Sequence, residues 1–282
     1  MDRIDLPDEI LSEILTPALR VPDDAFSDAR VLGMSFTESS SAYLLVCKDW
    51  LRVATPLLYG VVILRSKAQA QALAVALQNN PDLGGFIKKL RLDGGYGRFM
   101  HTILQTTPNV SELFLMFSMG STDSVSGLVK GLPLVNPSRF LVHNACRHVS
   151  APGRALITAI VNCVPSWTKL NTVQVSTKHP YEEPIVPELA VAFGKCPTLV
   201  SFVIVGCEVA DSVPGYMKVI STAPSLKRIV FQPPLRPEPS GSLVSFHREF
   251  YDGILEDARL RQLITIPVKS NDEELATAGP ER

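Results

Sequence analysis

The feature that most constrains this chain is a recurrence. Short apolar strand-like pieces return from residue 90 to residue 266, separated by helix-like segments. The clearest are Leu90-Arg91-Leu92, Leu113-Phe114-Leu115 and residues 170–175, 199–205, 226–231 and 263–266; Phe140-Leu141-Val142 is a weaker one. Three share a lead-in: Thr107-Pro108-Asn109-Val110, Cys196-Pro197-Thr198-Leu199 and Ala223-Pro224-Ser225-Leu226. Starts at 90, 113, 140, 170, 199, 226 and 263 give steps of 23 to 37 residues, with helix candidates at 67–78, 98–106, 121–130, 153–163, 187–194 and 214–222. A strand-plus-helix unit cannot bury its apolar side alone, so such units stack on one continuous core. The pattern predicts an irregular α/β solenoid, short and curved, with a mainly parallel sheet on its concave face. A compact α/β domain is the alternative, since the same alternation also produces that.

The first 64 residues read differently. Leu6-Pro7 opens a stripe of Ile10, Leu11, Ile14, Leu15 and Leu19. Those spacings, with Pro7 in the first turn and Asp8 and Glu9 at the positive end of the dipole, predict a helix over 7–15. Pro17 marks its end or a bend. Residues 16–38, with Pro22, an Asp-rich stretch and Gly33, read as a loop holding at most one helical turn. Periodicity resumes at 39–41, and Tyr43, Leu44, Val46, Cys47, Trp50, Leu51, Ala54 and Leu58 fit a second helix, with Pro56 near its end. Val61-Val62-Ile63-Leu64 is short enough for a strand. So small a helical unit calls for stabilisation by packing on a partner or on the next domain. Trp50 is its natural anchor, against the plainer role of local core.

The run Leu6-Pro7-Asp8-Glu9-Ile10-Leu11-Ser12-Glu13-Ile14-Leu15 resembles the opening of an F-box. Residues 44–54, from Leu44 through Lys48-Asp49-Trp50 to Ala54, followed by Pro56-Leu57-Leu58-Tyr59, resemble its closing half. The long interval 16–41 between the halves is similar to a variant of fungal F-box proteins. The resemblance implies binding of the small Skp1 adaptor of a cullin-RING ubiquitin ligase. It carries that surface onto Leu6, Pro7, Ile10, Leu11, Ile14, Leu15, Leu44, Val46, Cys47, Trp50 and Leu51. The C-terminal recurrence resembles leucine-rich repeats more weakly. The asparagine or cysteine that usually follows the strand is mostly missing, with Asn144 and Cys207 the nearest echoes.

Together these imply an F-box-like helical domain at 1–64, a leucine-rich-repeat-like domain at 65–268 and a disordered polar tail at 269–282. The implied function is substrate recognition in a Skp1–cullin–F-box ubiquitin ligase, with the helices on Skp1 and the repeats on a client protein. Two other readings stand beside it: a Skp1-binding assembly protein without a ligase role, and a repeat-only interaction module whose N-terminal helices cap the repeats.

Composition limits the rest. An apolar fraction of 46% supports a real core, and 27 basic against 28 acidic residues give no reason to expect nucleic acid. Residues 1–30 are locally acidic, with eight Asp or Glu against Arg3, Arg20 and Arg30. Cys47, Cys146, Cys163, Cys196 and Cys207 are odd in number and lack a CxxC pair, which predicts free thiols in a reducing compartment. No secretory start and no run of 18 apolar residues is present, so the expectation is cytoplasm or nucleus, with no membrane partner. Asn109-Val110-Ser111 matches a glycosylation pattern that needs secretion to matter.

No motif supports catalysis, and no cofactor is implied. His143 and His148 flank Cys146 without an acidic partner, which predicts a loop with surface histidines rather than a metal site. Asp93-Gly94-Gly95-Tyr96-Gly97 lacks the order of a phosphate loop and reads as a turn. Residues 124–127 form no nucleophile elbow. Glu182-Glu183 reads as a solvated turn.

The client surface is expected on the outward residues of the strands: Arg91, Phe114, Thr172, Gln174, Ser201, Val203, Arg228 and Val230. A one-residue error in register would reverse that face. Lys88, Lys89 and Arg91 form a basic cluster that reads as a solvated repeat edge ahead of a phosphate site. Loops 179–184 and 233–241 are further contact candidates, the second stiff where it is proline-rich.

Overall fold

Proline-led turns lead into two of the strands. In Thr107-Pro108-Asn109-Val110 and Ala223-Pro224-Ser225-Leu226 the last N–H donates to the first carbonyl, at 3.4 and 3.2 Å. Proline suits the second position of such a turn because its φ is already set. Trp167-Thr168-Lys169-Leu170 closes the same bond at 3.1 Å without a proline.

A computed structural model describes residues 6–27, 40–117, 119–120, 122–144, 149–177, 185–205, 209–210, 215–232, 245–246, 253–254 and 256–265. The fold is α/β. An eight-stranded sheet is built from β1 (Val61–Leu64), β2 (Lys89–Leu92), β3 (Glu112–Met116), β4 (Arg139–Asn144), β5 (Thr172–Thr177), β6 (Ser201–Val205), β8 (Arg228–Gln232) and β10 (Ile264–Thr265). They lie side by side in chain order and every neighbouring pair is parallel. β7 (Val209–Ala210) and β9 (Ser245–Phe246) form a separate parallel pair. All seven strand pieces read from the recurrence are in the large sheet, and Val61–Leu64 is its first strand.

Helices connect the strands: α4 (Lys67–Asn79), α5 (Asp82–Phe86), α6 (Phe99–Thr106), α7 (Ser126–Gly131), α8 (Ala151–Cys163), α9 (Pro187–Gly194), α10 (Gly215–Ile220) and α11 (Ala258–Leu263). Ser66 and Ser150 cap α4 and α8 through side-chain bonds to Gln69 N–H and Gly153 N–H, both at 3.2 Å. From α6 to α10 each helix packs on the next. One apolar core runs between this layer and the sheet from Leu64 to Leu263. Alternation decides which side chains enter it: Leu90, Leu92, Leu113, Leu115, Phe140, Val142, Val173, Val175, Phe202 and Ile204. Trp167 is 1% exposed at its centre, with its ring centroid 5.1 Å from that of Phe140.

The N-terminal helices are α1 (Asp8–Leu19), α2 (Asp23–Ser27), a 3₁₀ turn at Ser40–Leu45 and α3 (Lys48–Gly60). Pro17 lies inside the last turn of α1, beyond the expected end at residue 15, whereas Pro56 lies within α3 near its end, as expected. The expected second helix is split instead at Cys47, whose backbone is extended at φ −161° and ψ 176°. α3 runs directly into β1 and packs on α5, so it joins the sheet without a linker.

The tail 269–282 and the loops 179–184 and 233–241 lie outside the described residues. Among the described residues no helix is long and apolar enough to cross a membrane.

Candidate functional site

Two surfaces carry the residues nominated by the sequence. The first is on α1 and α3. Leu11, Leu15 and Leu19 of α1 are buried against Val53 and Ala54 of α3, with Tyr43, Leu44, Trp50, Leu57 and Leu58 packed around them. A helix step of four keeps Ile10 and Ile14 on the neighbouring stripe, and they are 45% and 54% exposed, as is Leu6, just before the helix, at 49%. Val46 and Leu51 are 58% and 47% exposed, and Leu45, which sequence reasoning did not nominate, is 86% exposed. Arg52 pairs with Asp8 and with Asp49, so the start of α3 stands beside the start of α1. That pairing sets Leu51 and Leu6 at one end of the unit.

The eleven nominated residues therefore divide. Leu6, Pro7, Ile10, Ile14, Val46 and Leu51 are exposed; Leu44, Cys47 and Trp50 are half-buried; Leu11 and Leu15 are interior. Trp50 stacks on Tyr43, with centroids 6.1 Å apart and planes within 9°.

The second surface is the sheet face turned away from the helices. Its register places Arg91, Phe114, Leu141, Gln174, Val203 and Val230 in one cross-strand row. Lys89, Glu112, Arg139, Thr172, Ser201 and Arg228 form the row beside it. All the nominated client residues thus share one face. That face is far less open than expected: Arg91, Phe114, Gln174, Ser201 and Val203 are buried, Thr172 and Val230 are half-buried, and Arg228 is exposed.

Part of the cover is α2. Phe26 is fully buried in a second apolar cluster with Phe114, Met116 and Leu141, against Val61 and Ile63. Its ring meets Phe114 edge-on at 6.3 Å and 72°. The Arg91 guanidinium lies 4.6 Å from the Phe114 ring centre and donates to the carbonyls of Ala25 and Phe26 at 3.2 and 3.1 Å. It also forks onto the Asp93 carboxylate at 2.8 and 3.4 Å. Lys89 bridges Asp23 and Glu112, both at 2.8 Å, and Arg139 continues the row from Glu112 to Gln174 at 3.0 and 2.6 Å.

Lys89 and Arg91 of the basic cluster are therefore ion-pair partners within the fold, neither a solvated edge nor a phosphate site. A hydrogen bond from Lys89 holds the Asp23 carboxyl below its ordinary range. Burial works against the charge on Lys89, but bonds to Asp23 and Glu112 outweigh it and raise its pKa. Asp23, Phe26, Met116 and Leu141 were missed by sequence reasoning. Leu141 was legible from the strand register, and the signal for α2 was one aromatic residue within an Asp-rich stretch.

His143 corrects the expectation of a surface histidine. Strand β4 extends through it and turns its ring onto the sheet face, where it is 4% exposed and Nδ1 lies 2.9 Å from Ser176 Oγ. Cys146 and His148 lie outside the described residues. Cys163 and Cys196 are buried and Cys47 half-buried as free thiols, and burial pushes the Cys163 pKa up. Among the described residues no three His, Cys, Asp or Glu side chains cluster as a metal site would require. Residues 93–97 connect β2 to α6; Tyr96 takes a left-handed backbone, φ 48°, and its hydroxyl donates to the Leu64 carbonyl at 2.9 Å.

No family model matches the chain, and no curated protein matches it.

Proposed function

We propose that the chain is a non-catalytic adaptor: an F-box-type helical unit that binds a Skp1-like protein, joined to a leucine-rich-repeat-like solenoid that receives a client. Through the Skp1-like protein it would reach a cullin-RING ubiquitin ligase, which supplies the transfer chemistry. The observation that carries this reading is the double stripe of α1. Leu11, Leu15 and Leu19 are the α1 side chains buried with α3, which leaves Ile10 and Ile14 of α1, Leu6 just before it, and Val46 and Leu51 as exposed apolar side chains. Scattered apolar side chains are ordinary on a protein surface, but a patch built from two adjacent elements is the hallmark of an interface. Strands in chain order, one helix layer and one continuous core support the repeat half.

A second reading has its own observation. α3 packs on α5 and continues into β1, as a cap on the first repeat would. In that case the helices close the end of a repeat-only binding module.

Co-purification separates the two. The full chain is expressed with Skp1 and a cullin, beside an Ile10→Asp/Ile14→Asp variant whose folding is verified by circular dichroism. Capture of both partners, lost in the folded variant, is the expected result. Capture of Skp1 alone leaves a non-ligase assembly protein, and capture of neither leaves the capping module.

A further inference from the structure

Residues Asp23–Phe26 occupy the client side of the sheet in a way that has the anatomy of a bound ligand. A five-residue helix is too short to hold itself in water, so its place depends on what the sheet offers. Phe26 is the one buried side chain of α2. The sheet supplies three separate kinds of recognition. An apolar slot of Val61, Ile63, Phe114, Met116 and Leu141 takes the ring. Lys89 takes the Asp23 carboxylate, and Arg91 takes two main-chain carbonyls where the negative end of a short helix lies. Arg91, buried with α2 in place, is oriented by the Asp93 carboxylate at 2.8 Å, a partner that does not belong to α2.

We propose that this end of the sheet is a recognition site for a one-turn segment bearing a carboxylate and, three residues later, an aromatic ring, and that Asp23–Phe26 is its built-in occupant. A client carrying that pattern would bind by displacing α2. The tether makes α2 an intramolecular competitor, so the free site is available only to clients that outcompete a high effective concentration. The proposal names the partner class for the client side of the adaptor reading and rests on that reading for its biological meaning. Its test uses no Skp1, so its failure leaves the α1 surface untouched.

The probe is a fluorescein-labelled peptide of residues 20–27, titrated by anisotropy against the full chain and its Phe26→Ala variant. The expected result is binding to Phe26→Ala at least tenfold tighter than to wild type, lost when the peptide's own Phe26 is alanine or its Asp23 is lysine. A second arm uses Asp23→Lys in the chain, which leaves the core ring in place and is expected to raise peptide affinity by a smaller factor. Equal, weak binding to all folded chains overturns the proposal. So does a Phe26→Ala chain that unfolds, because Phe26 is then a fixed core residue rather than a displaceable one.

Discussion

Gly194, the last residue of α9, passes the carbonyl of Val219 on α10 so closely that a Cβ at Gly194 would stand 2.5 Å from that oxygen. The Thr222 hydroxyl reaches both carbonyls, at 3.2 Å to Gly194 and 2.6 Å to Val219. Two helices are thereby held at a separation only glycine permits. Gly194→Ala is expected to destabilise the fold by about 1–3 kcal/mol, because backbone rather than a flexible side chain must move. Gly60→Ala is the control: nothing lies within 4 Å of its Cβ, and the change is expected to be neutral or stabilising by up to about 1 kcal/mol. Urea unfolding of both variants checks the contrast.

That contact also shows what sequence reading misses. Helix α9 was legible to the residue, since Pro187 opens it and Gly194 closes it. The strands were legible because their core-facing positions are apolar and three of the lead-in turns carry proline. The partner of Gly194 was not, because close approach of two backbones leaves no mark on the helix facing the glycine. The sheet's outer face was legible in register but not in exposure. Alternation says which way Arg91 points, whereas Phe26, 65 residues earlier, decides that Arg91 is buried. On α1 the apolar residues were legible as a set. Which belong to the inner stripe and which to the outer depended on where α3 packs.

The ring of Trp167 fills the space against Phe140, and Phe193 lies 6.2 Å from Phe140 on a tilted plane. Among the described residues the buried Trp167 Nε1 has no hydrogen-bond partner. Removing the ring leaves a cavity, so Trp167→Ala is expected to cost about 3–5 kcal/mol. Trp167→Phe deletes the unsatisfied N–H along with part of the ring and is expected to cost distinctly less, since burying that group already carried a penalty. Thermal midpoints of the two variants read the difference.

The Asp23–Lys89 pair makes α2 docking depend on pH. Lys89 lowers the Asp23 pKa by its hydrogen bond, burial acts oppositely, and Arg20 and Arg139 add smaller lowering effects. A carboxyl whose pKa is lower in the docked state gives stability that is present above its free value and lost as pH falls through the docked one. The ordinary value is 3.8, so the loss occurs below about pH 4. Asp23 is 66% exposed, and the energy involved is correspondingly small. Protection of the 23–27 amides from hydrogen exchange, measured relative to their intrinsic rates, is expected to fall as pH drops below 4. In Asp23→Asn that pH-dependent loss of protection is expected to vanish.

Ile14 and Leu15 are adjacent on α1 and serve opposite purposes. Leu15 is 2% exposed against Val53 and Ala54, while Ile14 is 54% exposed on the outer stripe. Leu15→Ala is expected to destabilise by about 2–5 kcal/mol, through lost transfer energy and the cavity left behind. Ile14→Ala removes little that is buried and is expected to change stability by no more than about 0.5 kcal/mol. Binding reverses the ranking if the outer stripe is the partner surface. An anchor at the desolvated centre of an interface is worth about 2 kcal/mol or more, so Ile14→Ala is expected to weaken Skp1 binding roughly 30-fold. Calorimetric titration of both variants, at a temperature where each is folded, measures this. An Ile14→Ala chain that is fully stable and binds Skp1 like wild type would place the partner surface elsewhere.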